Sequence, residues 1–337
     1  YSVYGSTEAE ARTRLAELER RLAVDDAPPP GRLTVQQLVE RWLTTEGGRW
    51  KPRTKADYER LCERFVYPQL GRVRLAKLAP DRLQRCLDGI PGRAASQTYR
   101  MLHRAFAMGV RWQLVASNPC TRVTPPTYRP KPVDLPDAGA LARLFHHCLV
   151  SDDDHAPLVG LLLLSGMRSG EALALRWDTV DITAGRIAIV RAGQRIGGQW
   201  VETEPKTRSG RRVIAVGEDG VRLFRRQRAV VARRRLSAGP AWEEWGLVFP
   251  SQTGRPLDSA GLGRALRRLC READVSRLTV HGLRHASASL ALSAGVPLTD
   301  VSRRLGHADT AITAKTYSHA IGNDRATAVA IEQALQG

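Results

Sequence analysis

The sequence predicts a mainly α-helical protein with a small antiparallel β-sheet. Three observations carry that reading. Apolar residues recur at spacings of three and four through most of residues 34–115 and again after residue 217. One block, residues 185–216, has a strand-like texture broken by glycine-bearing turns. Two proline-rich joints, "DDAPPPGR" (25–32) and "NPCTRVTPPTYRPKPVDLP" (118–136), divide the chain. The second holds six prolines, too many for a helix or a central strand.

The elements follow in order. "TEAE" (7–10) opens a short helix with a capping-box pattern. That helix cannot bury a core alone, so residues 1–32 are read as the remnant of an N-terminal module plus a linker. Residues 33–118 form a helical unit. "TVQQLVERWL" (34–43) starts on Thr34 with Gln37 three residues on; helices over 54–70, 79–90 and 94–115 follow. Residues 119–133 are the second linker. Residues 134–325 form a mixed unit, with helices expected over 137–149, 156–165 and 168–176. Strands are expected at "GRIAIVRA" (185–192), "GQWVET" (198–203) and "GRRVIAV" (210–216). Helices return over 218–236, 258–273, 282–294 and 298–305, and "TAITAKTYSH" (310–319) reads as one more. Residues 326–337 are a tail; the amphipathic stretch 323–336 is expected to dock on a neighbouring protomer, or equally on its own domain.

Composition narrows the function. The chain has 337 residues, 42% hydrophobic and 26% charged, enough to bury a core in each unit. Its formal net charge of +18 calls for a polyanionic partner, nucleic acid first and an anionic membrane surface second. No apolar run approaches the roughly 18 residues of a membrane span, and "LVGLLLLSGM" (158–167) reads as a buried helix. The opening residues are charged and amphipathic, unlike a secretory signal. Five scattered cysteines without a CxxC pair argue against a disulfide framework and a zinc finger, and a cytoplasmic location fits.

Four motifs carry chemistry. In "SGMRSGEALAL" (165–175), Gly166 ends one helix and Arg168 lies just inside the next, with Glu171 one turn away to orient it. A guanidinium forks onto two phosphate oxygens and never loses its charge. In "HGLRHASASLAL" (281–292), His281 and Arg284 stand three apart at a helix start, pairing a proton acceptor with a second fork. "ETEPKTRSGRRVIAV" (202–216) puts Lys206 on a loop between strands, as a flexible ammonium at a hairpin tip. "LGHADTAITAKTYSH" (305–319) holds His307 and, ten residues later, Tyr317, a phenol of pKa about 10 that needs help to attack at neutral pH.

Each motif has an ordinary reading alone: a surface ion pair, an edge charge, a core tyrosine. Together they supply cations and a proton shuttle suited to a phosphodiester. From Pro205 to Arg235 eleven Lys or Arg stand against two acids, and Arg208, Arg211 and Arg212 are the candidate DNA contacts. His281 and His285 invite a zinc reading, but no HExxH glutamate or third ligand accompanies them, so neither metal nor cofactor is expected.

With "GMRSGE", "PKTRSGRR", "HGLRH", "LGHAD" and "KTYSH" in this order, the chain resembles the tyrosine recombinase (phage integrase) family over roughly residues 1–325. The resemblance implies a helical core-binding (SAM-like) domain at 33–118 and an α/β tyrosine-recombinase catalytic domain at 134–325, forming a C-shaped DNA clamp. It implies that Arg168, Arg284 and His307 bind the non-bridging oxygens of the scissile phosphate. Lys206 would then be the general acid, His281 would assist proton transfer, Tyr317 would be the nucleophile, and Glu171 would support from behind. It also implies an integrase of a phage or integrative element. Such an enzyme works on double-stranded DNA attachment sites as a homotetramer on two paired DNAs, through a 3′-phosphotyrosyl link and a Holliday junction, alongside DNA-bending or excisionase factors. Two alternatives remain: a type IB topoisomerase-like nicking-closing enzyme, and a DNA-binding protein without catalysis.

Overall fold

The computed structural model describes residues 7, 8, 10, 12–14, 32–129, 134–204, 210–307 and 309–317, with backbone alone at 312, 315 and 317. The chain divides into two compact units, Tyr1–Lys131 and Pro132–Gly337.

In the first unit, α1 (Val35–Gly47) begins at a reciprocal cap. The Thr34 hydroxyl accepts from the Gln37 amide at 3.3 Å, and the Gln37 side chain accepts from the Thr34 amide at 2.9 Å. Its apolar stripe, Val35, Leu38, Val39, Trp42 and Leu43, is buried. The stripe packs on α5 (Gly92–Arg111), where Gly109 allows close approach: a β-carbon there would stand 3.0 Å from Leu38.

The single helix expected over 54–70 is found in three parts, α2 (Pro52–Leu61), a wide π turn (Cys62–Val66) and α3 (Tyr67–Leu70). The cause is Pro68, which has no amide to donate and whose ring would strike the carbonyl of Arg64 in a regular helix. Widening the turn, with the Tyr67 amide reaching back to the Cys62 carbonyl, relieves both problems. Helix α4 (Pro80–Asp88) completes this core with buried Leu83, Cys86 and Leu87.

The second unit is built round α7 (Ala156–Ser165), of which only Leu164 escapes full burial. It is enclosed by α6 (Ala138–Val150), α9 (Glu218–Ala238) and α11 (Val280–Ser293). Gly160 sets the α7–α9 spacing, since a β-carbon would come within 2.8 Å of Leu223. Helix α8 covers only Ser169–Leu173, shorter than the expected 168–176. Arg168 is extended at its N-cap, and Ala174 already leaves helical geometry.

The strand block makes two antiparallel sheets where one was expected. Strands β1 (Val180–Asp181), β2 (Arg186–Ile189) and β5 (Arg212–Ala215) form one, in the order β1-β2-β5. Strands β3 (Ala192–Ile196) and β4 (Gln199–Thr203) form the other, a hairpin turned on Gly197 and Gly198, both at positive φ. The run 185–192 therefore ends one strand and begins the next. Helices α10 (Ser259–Glu272), α12 (Leu298–Leu305) and α13 (Thr310–Tyr317) complete the described residues. No described helix is long and apolar enough to cross a membrane.

Candidate active site

Helix α7 delivers the first component. Its last turn closes on Gly166 at φ 65°, a left-handed C-cap that turns the chain sharply. Met167 is buried, and Arg168 then emerges with its side chain 44% exposed. Glu171, one turn into α8, reaches back. Its carboxylate accepts from the Arg168 backbone amide and from Nη1 of the same residue, both at 2.8 Å.

Glu171 is itself buried, 3% exposed, and Arg212 on β5 grips its far side through Nη1 at 3.1 Å and Nη2 at 2.8 Å. Burial alone would raise the Glu171 pKa. The hydrogen bonds and charges of Arg212 and Arg168 outweigh that and hold it below the usual carboxylate range.

Arg284 comes from α11, whose N-terminus is capped by the Thr279 hydroxyl accepting from the Gly282 amide at 2.9 Å. The Arg284 side chain is buried. Its Nη1 donates to the carbonyl of Gly166 at 2.7 Å and its Nη2 to the carbonyl of Leu305 at 2.8 Å. Arg168 Nη2 donates to the next carbonyl, that of Gly306, at 3.2 Å. Gly306 is the left-handed cap of α12, at φ 68°. His307 follows, its Nδ1 2.7 Å from the hydroxyl of buried Thr313 on α13. Arg168, Arg284 and His307, far apart in sequence, thus converge on the turn 305–307.

The histidines stay neutral among these cations. Burial, reinforced by Arg284, Arg168 and Arg212, pushes His307 down to about 4. His285 is pushed to about 4 by burial, His281 and Arg284. His281, on the first turn of α11, is lowered by partial desolvation and by the Arg284 and Arg168 charges; its ring meets His285 edge-on at 4.5 Å. The fixed positive charge therefore belongs to the guanidinium groups.

The remaining expected residues fall differently. Tyr317 is the last backbone position of α13, one turn after Thr313, and its side chain lies outside the described residues. Lys206 and Arg208 lie outside them too. The strands flanking that segment correct one expectation: β4 pairs with β3 and β5 with β2, so β4 and β5 do not pair with each other as a hairpin. Arg211 is exposed and meets Glu204 at 2.8 Å. Arg212, expected among the DNA contacts, is turned inward. Its side chain is 5% exposed, and besides Glu171 it donates Nε to the Arg304 carbonyl at 2.6 Å. The alternation of β5 held the signal, since Arg212 shares a face with buried Ile214. Thr313 was also missed, and its sequence offers no comparable clue. Among the described residues no His, Cys, Asp or Glu cluster is arranged to hold a metal ion.

Residues 140–323 match the family model described as "Phage integrase family", and residues 34–90 match "Phage integrase, N-terminal SAM-like domain". An integrase of Streptomyces ambofaciens is 30% identical over 329 residues, covering 93% of this chain and 83% of that protein. The fold is similar to that of a Tn1549 transposon integrase in complex with a circular intermediate DNA. That match has a TM-score of 0.71 and 19% identity, over 89% of this chain and 99% of that one. It is also similar to a lambda integrase tetramer bound to a Holliday junction, with a TM-score of 0.62 and 15% identity over 93% and 88% of the two chains.

Proposed function

Because the chain belongs to the phage integrase family of tyrosine recombinases, we propose that it breaks and rejoins duplex DNA at specific sites, integrating or excising a mobile element. The observation that carries this reading is the convergence of Arg168, Arg284 and His307 on the turn 305–307. Two forked cations and a neutral imidazole facing one turn suit the non-bridging oxygens of a phosphodiester, where negative charge builds during substitution. For His307 to donate to such an oxygen, Nε2 must carry the proton, which fits Nδ1 accepting from the Thr313 hydroxyl.

In the proposed reaction the Tyr317 oxygen attacks phosphorus and loses its proton to His281, directly or through water. The bond to the 5′ oxygen breaks, Lys206 protonates that departing oxygen to give a free 5′-hydroxyl, and a 3′-phosphotyrosyl link remains. Attack by a second strand's 5′-hydroxyl reverses these steps and restores Tyr317. One phosphodiester is exchanged for another, so no nucleotide hydrolysis is required. Pairing two DNA sites by four copies, through a Holliday junction, is part of the same proposal. The lambda integrase tetramer on such a junction supports it at the level of fold.

The test is a nicked suicide duplex from an end of the DNA element carrying this gene. Wild-type protein is expected to form an adduct that survives denaturing electrophoresis, attached at the 3′ side of the break. Tyr317→Phe is expected to bind the duplex equally and form none. An adduct with Tyr317→Phe would overturn the assignment.

A further inference from the structure

Among the described side chains of α13, Thr310, Ala311 and Thr316 are exposed, Ala314 is half-buried and only Thr313 is fully buried. None of them joins the apolar core of the unit. Valine has the shape of threonine and no hydroxyl to desolvate, so burial alone does not account for Thr313. Its hydroxyl lies 2.7 Å from Nδ1 of His307 and, among the described residues, has no other partner. The one buried side chain described on this helix is thus a polar one, spent on a single contact.

That contact decides where two protons lie. Were Nδ1 protonated, it would donate to Thr313, and the hydroxyl hydrogen of a fully buried residue would point at no acceptor. Such a loss disfavours that form by about tenfold or more. With the hydroxyl donating to Nδ1, both groups are satisfied and the ring proton sits on Nε2. The main chain of His307 is held separately, its amide donating to the Ser302 carbonyl at 3.1 Å. Among the described residues Nε2 has no protein partner, so it is the atom left to meet a ligand.

His307 follows the cap of α12, whereas Thr313 lies on α13, the helix that ends at Tyr317. We propose that Thr313 is a positioning residue that makes phosphate recognition by His307 depend on the seating of α13. This rests on the recombinase reading given above. With α13 seated, His307 presents its Nε2 proton to the phosphate while the helix carrying Tyr317 is docked. With α13 lifted, Nδ1 loses its donor, the tautomer is no longer fixed, and the cation site loses a directed hydrogen bond. By linkage, an occupied cation site holds α13 down in turn. Phosphate binding and delivery of the nucleophile therefore switch on together.

The experiment uses the full chain as wild type, Thr313→Val, Thr313→Ser and His307→Ala, with folding checked by circular dichroism melting. Nuclear magnetic resonance of protein carrying isotope-labelled histidine, without DNA, identifies the His307 signals by their loss in His307→Ala. Wild type and Thr313→Ser are expected to hold the proton on Nε2, and Thr313→Val to show a mixture of tautomers. Hydrogen exchange in the segment 310–317 should quicken about tenfold in Thr313→Val and in His307→Ala alike, since each removes one partner of the same bond. On the nicked suicide duplex, Thr313→Val should form adduct about tenfold more slowly, and Thr313→Ser should restore most of the rate. A wild-type His307 protonated on Nδ1 would overturn the proposal. So would exchange that quickens in Thr313→Val but not in His307→Ala, because Thr313 would then serve packing alone. Should Thr313→Val fail to fold, the wild-type tautomer and the exchange in His307→Ala still decide. The two readings fail separately. Wild-type adduct with an unchanged rate in Thr313→Val removes the coupling alone; the expected tautomer and exchange changes without any Tyr317-dependent adduct keep the link between Thr313 and His307 and remove the recombinase.

Discussion

Glu171 joins both sides of the cationic site: one carboxylate, 3% exposed, holds Arg168 on one side and Arg212 on the other. Glu171→Gln keeps the shape and removes the charge, leaving the buried Arg212 guanidinium without its counter-ion. Losing one partner of such a pair is expected to cost about 3 kcal/mol, read as a lowered denaturation midpoint, and adduct formation should slow with it. The histidines make a second prediction. His285 and His307 titrate near 4 when folded, against 6.5 unfolded, so between these values the unfolded chain binds more protons and stability rises with pH. Melting temperature should therefore fall as pH drops from about 6.5 towards 4, and His307→Gln should flatten part of that fall. An unchanged pH profile in this variant would show that His307 is not held neutral.

Among the elements, the turn ending α7 matters most. Gly166→Ala would place a β-carbon at a positive φ and within 2.9 Å of Leu305, whose carbonyl also anchors Arg284. The expected cost is about 1 to 2 kcal/mol for the backbone conformation, more if Leu305 cannot move. Adduct yield should fall further than stability alone explains, because the Gly166 carbonyl holding Arg284 moves as well. This turn was legible in the sequence as a glycine after an apolar run, and so was the Gly306 cap. Helix α9 and the capping box at Thr34 were legible for similar local reasons. The elements that went astray depend on partners distant in sequence. Nothing in "GRIAIVRA" shows that its first half pairs with Arg212–Ala215 while Ala192 begins another hairpin. The π turn is intermediate: Pro68 announces trouble in a helix, but whether the helix breaks or widens depends on what surrounds it.

For the whole molecule, the net charge of +18 named the partner class but not the residues that meet it. Several arginines in the dense run 205–235 serve the fold. Arg212 holds Glu171, Arg226 donates to the carbonyls of Cys148 and Leu149, and Arg234, 4% exposed, joins Asp154 to the Pro250 carbonyl. Counting charges cannot separate these from exposed cations, because burial is a property of the folded chain. The cysteines show the reverse case, since scattered spacing correctly marked them as unpaired. All five are free and buried, and burial pushes the thiols of Cys62, Cys120 and Cys148 up to about 12. The native protein should resist alkylation by iodoacetamide at neutral pH and take up five equivalents once unfolded, as mass spectrometry would show.

Arg168 and Arg284 are tethered to the carbonyls of Gly166, Leu305 and Gly306, which are main-chain atoms. Every amino acid carries a carbonyl, so no codon change at these three positions deletes an anchor outright. Damage has to act through the path of the backbone, and glycine at two of the three positions keeps that path open. The hereditary information for aiming both guanidinium groups is thus shared between Glu171, whose side chain holds Arg168, and two residues that have no side chain. Descendants of this gene can drift widely in sequence and still present the same pair of forks.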